Sequence, residues 1–389
     1  MDEESSRKKQ GPARMDTEYV TLSKQILDGC LSTKPGQRVW IHSWDHTLEL
    51  ASDLALESRK RRLEVLLTVQ LEDLWLRSMI EASPELLDNL PAHVAAALEE
   101  TQIYIYTLGP RKPVPWDKIP VDRRGSVSVW LDSRYDKSRF AEQWAKIARK
   151  NKVRMVGIEA TLATPERAES MSLDLEEWRR VMFEGCTADP REMASHGRAL
   201  EPLMGGEGQV HLTTPFGTDF RFRLDIRPPD YSYGLATEEK AERGEVVFLP
   251  SGGIEVSAAE DSAEGRIVYD PLIRTGKGQV EDLTFQVAQG RIKQFSARSG
   301  KEIFERYLRE GTGDENRFAY FGFGLNPKLR HGFTQDDKVL GSTIVGFGHS
   351  SAKGGKNAAS GQWWASMTKA TVTISGEKVM EDGKLLVKS

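Results

Sequence analysis

Residues 38–69 read RVWIHSWDHTLELASDLALESRKRRLEVLLTV, and this stretch decides the fold class of the first half of the chain. Positions 38–42 and 63–69 are apolar runs with β-branched and aromatic residues, as is typical of buried strands. Between them, residues 45–61 place leucine and alanine side chains near helical spacing. A strand, a helix and a second strand in this order predict a βαβ unit with a right-handed crossover, and therefore a parallel sheet.

The same alternation continues along the chain. Residues 102–106, 126–131 and 153–158 are further predicted strands, and residues 138–150 form a predicted helix with its large apolar side chains on one stripe. The charged segment 164–203 is helical in character and is predicted to connect two domains. The first half is therefore predicted to be a doubly wound α/β domain with a parallel sheet.

The turn after the first predicted strand argues against a dinucleotide site. It reads Ser43-Trp44-Asp45-His46 and lacks the glycines that let a helix N-terminus approach a phosphate. His42 and His46 lie near the carboxyl end of that strand, where α/β proteins often bind ligands. A ligand role for this pair stays open beside the alternative of packing or helix capping.

Composition places the chain among globular proteins and excludes several partners. Its 389 residues are 39% hydrophobic and 29% charged, enough for two domains with separate cores. The net charge of −4 gives no basic face for nucleic acid, and no apolar run approaches the roughly 20 residues of a membrane span. Cys30 and Cys186 are too few for a disulfide framework, and the polar N-terminus lacks a secretory signal, so we expect a cytoplasmic protein.

After Gln209 the pattern changes to short β runs separated by turns. Residues 210–214 and 220–224 alternate around the Gly-containing turn 215–219, which predicts a hairpin. The remaining predictions are strands at 245–249, 265–269, 283–289 and 341–348 and a helix at 301–308. The second half is therefore predicted to be an α+β domain with a largely antiparallel, curved sheet or open barrel. The domain prediction is a disordered tail over 1–18, an α/β domain with connecting helices over 19–203, and a site domain over 204–389.

Four segments of the second half carry recognisable motifs. They are TPFGTDF at 214–220, LPSGG to EDSAEG within 249–265, GFGLNP at 322–327, and DKVLGST to GGKN within 337–357. In this order they resemble the aminopeptidase T and aminopeptidase S family of metallopeptidases. The resemblance covers the second half of the chain, and the α/β prediction for the first half agrees with that family's first domain. It implies a cytoplasmic homodimer with its site in a groove of the C-terminal domain.

The metal ligands of that family do not carry over. The resemblance implies two close divalent ions that activate a water and polarise the scissile carbonyl. The family holds them with two Glu, a strand His, a Tyr and a His-Trp-Asp sequence. The matching positions here are Gly253, Tyr320, Ile344, Ser351 and Trp363-Trp364-Ala365. A related iron branch that opens dihydroxypyridine rings uses a His-x-Asp pair, which is missing too. We therefore expect no metal cofactor.

Nearby residues could restore only part of a metal site. Glu255 lies two residues after Gly253 and would share its strand face, because side chains alternate with a period of two. His349 lies five residues after Ile344, an odd offset, and would face the other way on a regular strand. One carboxylate and one imidazole are too few for two ions, although a single weak metal site stays open.

The substituted positions predict an apolar, aromatic groove, which favours a flat or hydrophobic ligand. The alternative is that these side chains only fill the space of the ions. The candidate catalytic residues are His349, Glu255, Tyr320 and Asp261. The candidate substrate-binding residues are Trp363, Trp364, Ile344, Lys356, Ser351 and Glu260, with Ala365 as a further part of the groove.

Among the catalytic candidates, His349 suits proton transfer near neutral pH, with Glu255 or Asp261 to orient its ring. No nucleophile-elbow pattern supports Ser350 or Ser351 as a nucleophile. Glu260 and Asp261 also suit a structural turn, and the glycine-rich loop that holds Lys356 could cover a ligand.

Three functions follow from this reasoning. The first is a metal-independent hydrolase or related enzyme that acts on a small aromatic or cyclic substrate in the former metal groove. The second is a non-catalytic relative that binds a ligand or partner there. The third is a metal-dependent aminopeptidase with displaced ligands.

Overall fold

A computed structural model of the chain describes residues 16–120, 138–270, 272–275, 278–350 and 354–387. The predicted tail over 1–18 lies mostly outside the described residues, and the strand predicted at 126–131 and the candidate residue Ser351 lie wholly outside them. Among the described helices, none combines the length and the apolar character needed to cross a bilayer.

The elements are numbered here in chain order over the described residues. The strands are β1 (Arg38–Trp44), β2 (Glu64–Gln70), β3 (Ile103–Thr107), β4 (Arg154–Ile158), β5 (Gly208–Thr213), β6 (Asp219–Leu224), β7 (Asp230–Ser232), β8 (Val246–Leu249), β9 (Gly253–Ser257), β10 (Glu264–Val268), β11 (Ile273–Thr275), β12 (Gly278–Val280), β13 (Thr284–Ala288), β14 (Arg291–Ser296), β15 (Phe318–Gly324), β16 (Thr343–Gly348), β17 (Gln362–Met367), β18 (Thr371–Ile374), β19 (Glu377–Glu381) and β20 (Lys384–Leu385).

The α-helices are α1 (Asp16–Lys24), α2 (Leu48–Lys60), α3 (Glu72–Glu81), α4 (Pro84–Leu87), α5 (Ala92–Glu99), α6 (Arg139–Lys150), α7 (Pro165–Met171), α8 (Leu175–Cys186), α9 (Pro190–Met204), α10 (Glu238–Arg243) and α11 (Lys301–Glu310). A π-turn follows α1 at Gln25–Cys30, and short 3-10 turns lie at Asp45–Thr47, Glu159–Leu162 and Asp336–Lys338.

The first half folds around a parallel sheet, as predicted. Its strand order is β2-β1-β3-β4-β8, and every neighbouring pair is parallel. One face of the sheet packs on α1, α2 and α8, and the other packs on α5 and α6. Strand residues alternate between these two layers, since Ile105 lies in the first core and Tyr104 in the second. The doubly wound α/β prediction is confirmed, including the helix that contains Trp144.

For one strand, the sequence-based prediction of its sheet was wrong. The run 245–249 was expected in the antiparallel sheet of the second half, but β8 pairs in parallel with β4 at the edge of the first sheet. Val247 and Leu249 face one core of the first half, whereas Val246 and Phe248 pack on the other. Both faces of β8 are therefore apolar, as in other parallel sheets that helices cover on both sides. A short apolar run does not show which sheet it joins, because pairing depends on distant partners.

The second half is a sandwich of two antiparallel sheets. The larger has eight strands in the order β14-β13-β10-β6-β5-β18-β19-β20, and the smaller has five in the order β17-β16-β15-β9-β7. The predicted hairpin is confirmed as β5 and β6. The prediction that this half is largely antiparallel is confirmed. We predicted one curved sheet or an open barrel, whereas the structure has two sheets that face each other. Aromatic side chains fill the space between them, among them Phe220, Phe222, Phe285, Phe318 and Phe321.

Asn326 ties the smaller sheet to the first half of the chain. It is fully buried just after β15, and its Nδ2 donates to Gly185 O at 3.0 Å and to Ser251 O at 2.6 Å. Its Oδ1 accepts the backbone N–H groups of Lys328 at 3.0 Å and Leu329 at 3.3 Å. One amide therefore joins the end of α8, the turn before β9 and the loop after β15.

We expect Asn326→Ala to lower the free energy of unfolding by about 2–4 kcal/mol, because it leaves several buried polar groups without a partner. Asn151→Ala is the matched control, since that side chain makes a single bond to Glu99 O near the surface. Urea unfolding monitored by circular dichroism measures both. Equal losses in the two variants would contradict the anchoring role of Asn326.

Candidate functional site

The smaller sheet of the second half has one face in the sandwich core and one face outside it. On β15, Phe321 and Phe323 belong to the core, so Tyr320 and Gly322 face the other way. The strand pairing places the side chains of this outer face in two rows. One row is Glu255, Gly322, Ile344 and Ser366, and the other is Ser257, Tyr320, Gly346 and Trp364. We call this outer face, defined by these eight residues, the site face.

Two glycines make room for large side chains on the site face. A Cβ atom on Gly346 would lie 2.3 Å from Cε1 of Tyr320, and one on Gly322 would lie 2.6 Å from Cγ of Glu255. Such distances are sterically forbidden, so the ring of Tyr320 and the stem of Glu255 depend on the absence of a neighbouring side chain. The glycines thereby let a phenol and a carboxylate lie across the sheet.

The 3-10 turn Asp336–Lys338 packs against β15 and β17 at the site face. Lys338 Nζ lies 2.8 Å from the carboxylate of Glu159, which follows β4 in the first half. Burial raises the pKa of Asp337 to about 7, while Lys338 lowers it and the charges of Glu255 and Glu159 raise it. The Oδ1 atom of Asp337 is buried and has no hydrogen-bond partner among the described residues. Asp337 can therefore exchange a proton near neutral pH.

Tyr320 lies in the same field as Asp337. It is 3% exposed, and burial raises the pKa of its phenol well above 10.0, with Glu255 and Asp337 adding to the rise. The phenol is therefore neutral at pH 7 and can donate a hydrogen bond but does not supply an anionic oxygen.

A cavity of about 280 Å³ opens beside the site face at β17. Its lining includes Trp364, which is 39% exposed, and the apolar side chains of Phe333 and Ile273. Arg274 and Asp336 supply charged groups to the lining. Burial raises the pKa of Asp336 to about 6, although the N–H groups of Phe333 and Gly332 and the charge of Arg274 lower it. We call this space the Trp364 cavity.

The residues of the site face do not fit a metal centre. Ile344 and Trp364 offer no ligand atom, Gly253 has no side chain, and Tyr320 is held neutral. Glu255 and Asp337 remain as carboxylates, and the charge of Glu159 is balanced by Lys338. Two ions need several converging anionic or imidazole ligands, and even one catalytic zinc normally needs three protein ligands. Among the described residues, no such group converges on this face.

The structure separates the predicted substrate-binding residues. Trp364 and Ile344 lie on the site face. Trp363 and Ala365 belong to the sandwich core, and the ring of Trp363 lies 4.9 Å from that of Phe304, although both residues also border the Trp364 cavity. The strand register therefore places Trp364 and Ser366 on the site face. Trp363 and Ala365 face the sandwich core instead.

Glu260, Asp261 and Lys356 line a different, polar cavity of about 520 Å³. The buried carboxylate of Glu260 accepts two hydrogen bonds from Arg227, at 2.9 and 3.2 Å, and the backbone N–H of Lys356. Burial opposes ionisation of Glu260, but Arg227 and Lys356 hold its pKa below the ordinary value. The Glu260 carboxylate therefore joins the loop of Lys356 to the turn before β10.

His349 follows β16 and is half-buried. Its backbone N–H donates to Gly361 O at 2.9 Å, and its carbonyl accepts from Gln362 Nε2 at 2.8 Å. It lies after the end of β16, and the next residue turns toward β9, where the carbonyl of Ser350 accepts from Ser257 Oγ at 3.4 Å. The pairing of His349 with Glu255 stays a prediction.

Sequence reasoning missed Asp337, Asp336 and Arg274. Asp337 is the first residue of the DKVLGST motif, and this motif could have marked it as a site residue. Its burial beside Tyr320 was not predictable, because it depends on how the 3-10 turn packs against β15. Arg274 lies in the short hairpin of β11 and β12, whose sequence carries no recognisable motif.

A second group of polar side chains lies in the first half, at the carboxyl ends of β1 and β2. Ligand atoms of Asp45, His46 and Glu72 all lie within 4.8 Å of one another. Asp45 Oδ2 accepts the N–H of Glu72 at 3.1 Å, so it caps α3, and Glu72 accepts the N–H groups of Arg111 and Lys112 at 3.1 and 3.3 Å. These carboxylates organise the loops at the sheet edge.

His42 is a buried residue that packs within the first sheet. Its Nδ1 lies 2.9 Å from Thr68 Oγ1, and burial lowers the pKa of His42 to about 4, so the ring is neutral at pH 7. Of the two histidines left open by the sequence, His46 is therefore the one that lies beside carboxylates.

The fold has two close structural counterparts. The structure of a 2,5-dihydroxypyridine dioxygenase from Pseudomonas putida is 14% identical with a TM-score of 0.63, covering 97% of this chain and 99% of that one. Wild-type AmpT from Thermus thermophilus is 16% identical with a TM-score of 0.66, covering 96% and 100%. At these identities the likeness establishes the fold, and the aminopeptidase T-like architecture is confirmed.

Curated protein sequences give no match to the chain. The family model described as NicX, 2,5-dihydroxypyridine 5,6-dioxygenase, matches residues 186–387, just over half of the chain. The match spans both sheets of the second half and β8 of the first sheet, and it includes every residue of the site face. The chain therefore belongs to the NicX family.

Proposed function

We propose that this chain is an enzyme that acts on a small aromatic or cyclic substrate in the Trp364 cavity, without the metal centre of the aminopeptidase T family. The observation that carries the proposal is the position of the cavity, which opens where the site face presents Trp364 and Ser366. The family is named for an enzyme that acts on a pyridine, a single six-membered ring. A pyridine-type ring is therefore the first substrate to consider.

The size and walls of the cavity support a single ring. Its volume of about 280 Å³ lies just below the usual range for small-molecule sites, which begins near 300 Å³, as suits a ligand with a single ring. Trp364 presents part of its indole to this space, and Phe333 supplies a second aromatic wall. Aromatic walls favour flat ligands through stacked or edge-on contacts.

The polar residues beside the site face support acid–base catalysis on a water molecule. In a hydrolytic step, a water molecule attacks the carbonyl carbon of an ester or amide substituent on the ring, and its proton passes to Asp337. The bond from that carbon to the alcohol oxygen or amine nitrogen then breaks, and Asp337 returns the proton to this leaving group. Tyr320, whose phenol is neutral, donates a hydrogen bond to the oxygen that gains negative charge. Glu255 raises the proton affinity of Asp337. These three residues are assigned to the chemistry because they lie together at the site face beside the cavity, outside its lining. His349 and Asp261 remain untested predictions.

A non-catalytic binding role is the second candidate. Ile344 stands where the family resemblance implies a metal-binding His, and Trp364 adds an indole beside it, which suits a cavity that only holds a ring. Both candidates require ligand binding in the same cavity, so only turnover of the ligand distinguishes them.

From the family resemblance we also propose that the protein is a cytoplasmic homodimer. Sedimentation of the purified protein tests the homodimer.

Truncation of Trp364 tests the cavity. We expect 2,5-dihydroxypyridine to raise the melting temperature of the protein by linkage, and Trp364→Ala to weaken binding by about tenfold, because stacking contributes roughly 1 kcal/mol. Phe216→Ala is the matched control, since that ring is 47% exposed at the tip of the β5–β6 hairpin. Calorimetric titration measures both variants. Unchanged binding in Trp364→Ala would place the ring elsewhere.

The pH dependence of turnover tests Asp337. Its carboxylate accepts a proton only when ionised, so kcat should fall about tenfold per pH unit below pH 7, where the folded-state pKa of about 7 leaves it protonated. Asp337→Asn should lower kcat by about 10²- to 10⁴-fold and remove this acidic limb. The assay follows hydroxypyridines and aromatic esters and amides by absorbance between pH 5 and 9.

Asp282→Asn is the control for that experiment, because Asp282 is exposed and pairs with Arg298 at 2.9 Å. A wild-type profile without an acidic limb near pH 7 would reject Asp337 as the base. If every ring that binds is left unchanged by the wild-type protein, the binding role is the correct one.

Metal content separates both candidates from an aminopeptidase with displaced ligands. We expect elemental analysis of untagged protein to find well below one zinc, cobalt, manganese or iron ion per chain. His46→Ala shows whether any residual metal comes from the group of Asp45, His46 and Glu72 in the first half. Two tightly bound ions per chain, kept in His46→Ala, would restore the aminopeptidase.

A further inference from the structure

We infer that the Trp364 cavity selects aromatic rings that carry a carboxylate, and that Arg274 is the residue that binds this carboxylate. The inference rests on the proposed function, because it assumes that a ring occupies the cavity. It adds the charge of the ligand and the side chain that recognises it.

Arg274 has an unused donor beside the cavity. It lies at the centre of β11, in the two-stranded hairpin with β12, and it is one of the residues that line the cavity. Its Nε atom is buried and has no hydrogen-bond partner among the described residues. A buried N–H group without a partner costs about 1–3 kcal/mol, which a ligand oxygen would offset.

Nothing in the described part of the chain neutralises this guanidinium by direct contact. Arg274 forms no ion pair within 4.0 Å there, whereas Arg291 and Arg227 each have a carboxylate partner, at 2.8 and 2.9 Å. The nearby carboxylate of Asp336 is engaged elsewhere, since its Oδ1 accepts the N–H groups of Gly332 at 2.8 Å and Phe333 at 3.1 Å. Arg274 therefore keeps a planar fork of donors for a ligand.

The surroundings favour a carboxylate on a ring over a free inorganic anion. The walls near Arg274 include the apolar side chains of Met171, Leu272 and Phe333 and the indole of Trp364. A guanidinium binds a carboxylate with two parallel hydrogen bonds, which fixes the plane of the ligand as well as its position. A phosphate carries more charge and more acceptor oxygens than one guanidinium satisfies. Asp336 gives the cavity an acceptor for a hydroxyl or N–H group of the ring.

The test compares ligands that share a ring and differ in charge. Benzoate, benzamide and phenyl phosphate are titrated into the full-length protein by calorimetry at pH 7.5, and 2,5-dihydroxypyridine serves as an uncharged ring. We expect benzoate to bind at least tenfold more tightly than benzamide. Arg274→Gln should reduce this preference to less than about twofold while benzamide binding stays the same, a loss of at least about 1 kcal/mol for the carboxylate.

Two further variants guard against misfolding and unspecific charge effects. Arg274→Lys keeps the charge but loses the fork, so its preference for benzoate should be intermediate. Arg298→Gln removes a guanidinium that is 67% exposed and pairs with Glu281 and Asp282, and it should leave the preference unchanged. Circular dichroism and the unfolding midpoint confirm that each variant is folded.

The outcomes separate this inference from the proposed function. Equal binding of benzoate and benzamide, or a benzoate preference that persists in Arg274→Gln, overturns the role of Arg274 and leaves ring binding intact. Tighter binding of phenyl phosphate than of benzoate overturns the choice of a carboxylate. Failure of every ring, including 2,5-dihydroxypyridine, to bind overturns both proposals.

Discussion

The architecture of the second half depends on the complete burial of one face of its five-stranded sheet. Side chains such as Phe321, Phe323 and Phe347 fill the space against the eight-stranded sheet and are fully buried. A slip of one residue on β15 or β16 would turn these rings out of the core, so their burial fixes the register of both strands. The same register decides that Tyr320 and Ile344 face away from the core. The composition of the site face is therefore a consequence of packing on the opposite side.

Close packing and burial set the electrostatics of the site face. The glycines on β15 and β16 leave room for Tyr320 and Glu255, and the turn at Asp336–Lys338 covers them. With apolar groups at Ile344 and Trp364, the remaining carboxyl of Asp337 is poorly solvated and keeps its proton up to about pH 7. Burial thereby sets the proton affinity of one acid beside this face. The ion pair of Lys338 with Glu159 links this acid to the sheet of the first half.

Much of the fold was predictable because the signals are local. The βαβ unit at 38–69, the helix that contains Trp144 and the β5–β6 hairpin follow from periodicity and turn residues within short windows. The edge strand β8 was not predictable, since an apolar run of four residues fits either sheet and its partner β4 lies about ninety residues earlier in the chain. For the same reason the two facing sheets of the second half were expected as one curved sheet.

The sequence by itself determined the fold family, because the family depends on which residue types occupy which motifs. Only the tertiary structure decided which side chains share the site. It brought Asp337 to Tyr320, Arg274 to the Trp364 cavity, and Glu260 to Arg227 instead of the site face. The physical reason is that strand register and loop packing set the burial and the partners of a charged group, and these properties depend on residues that are distant in the chain.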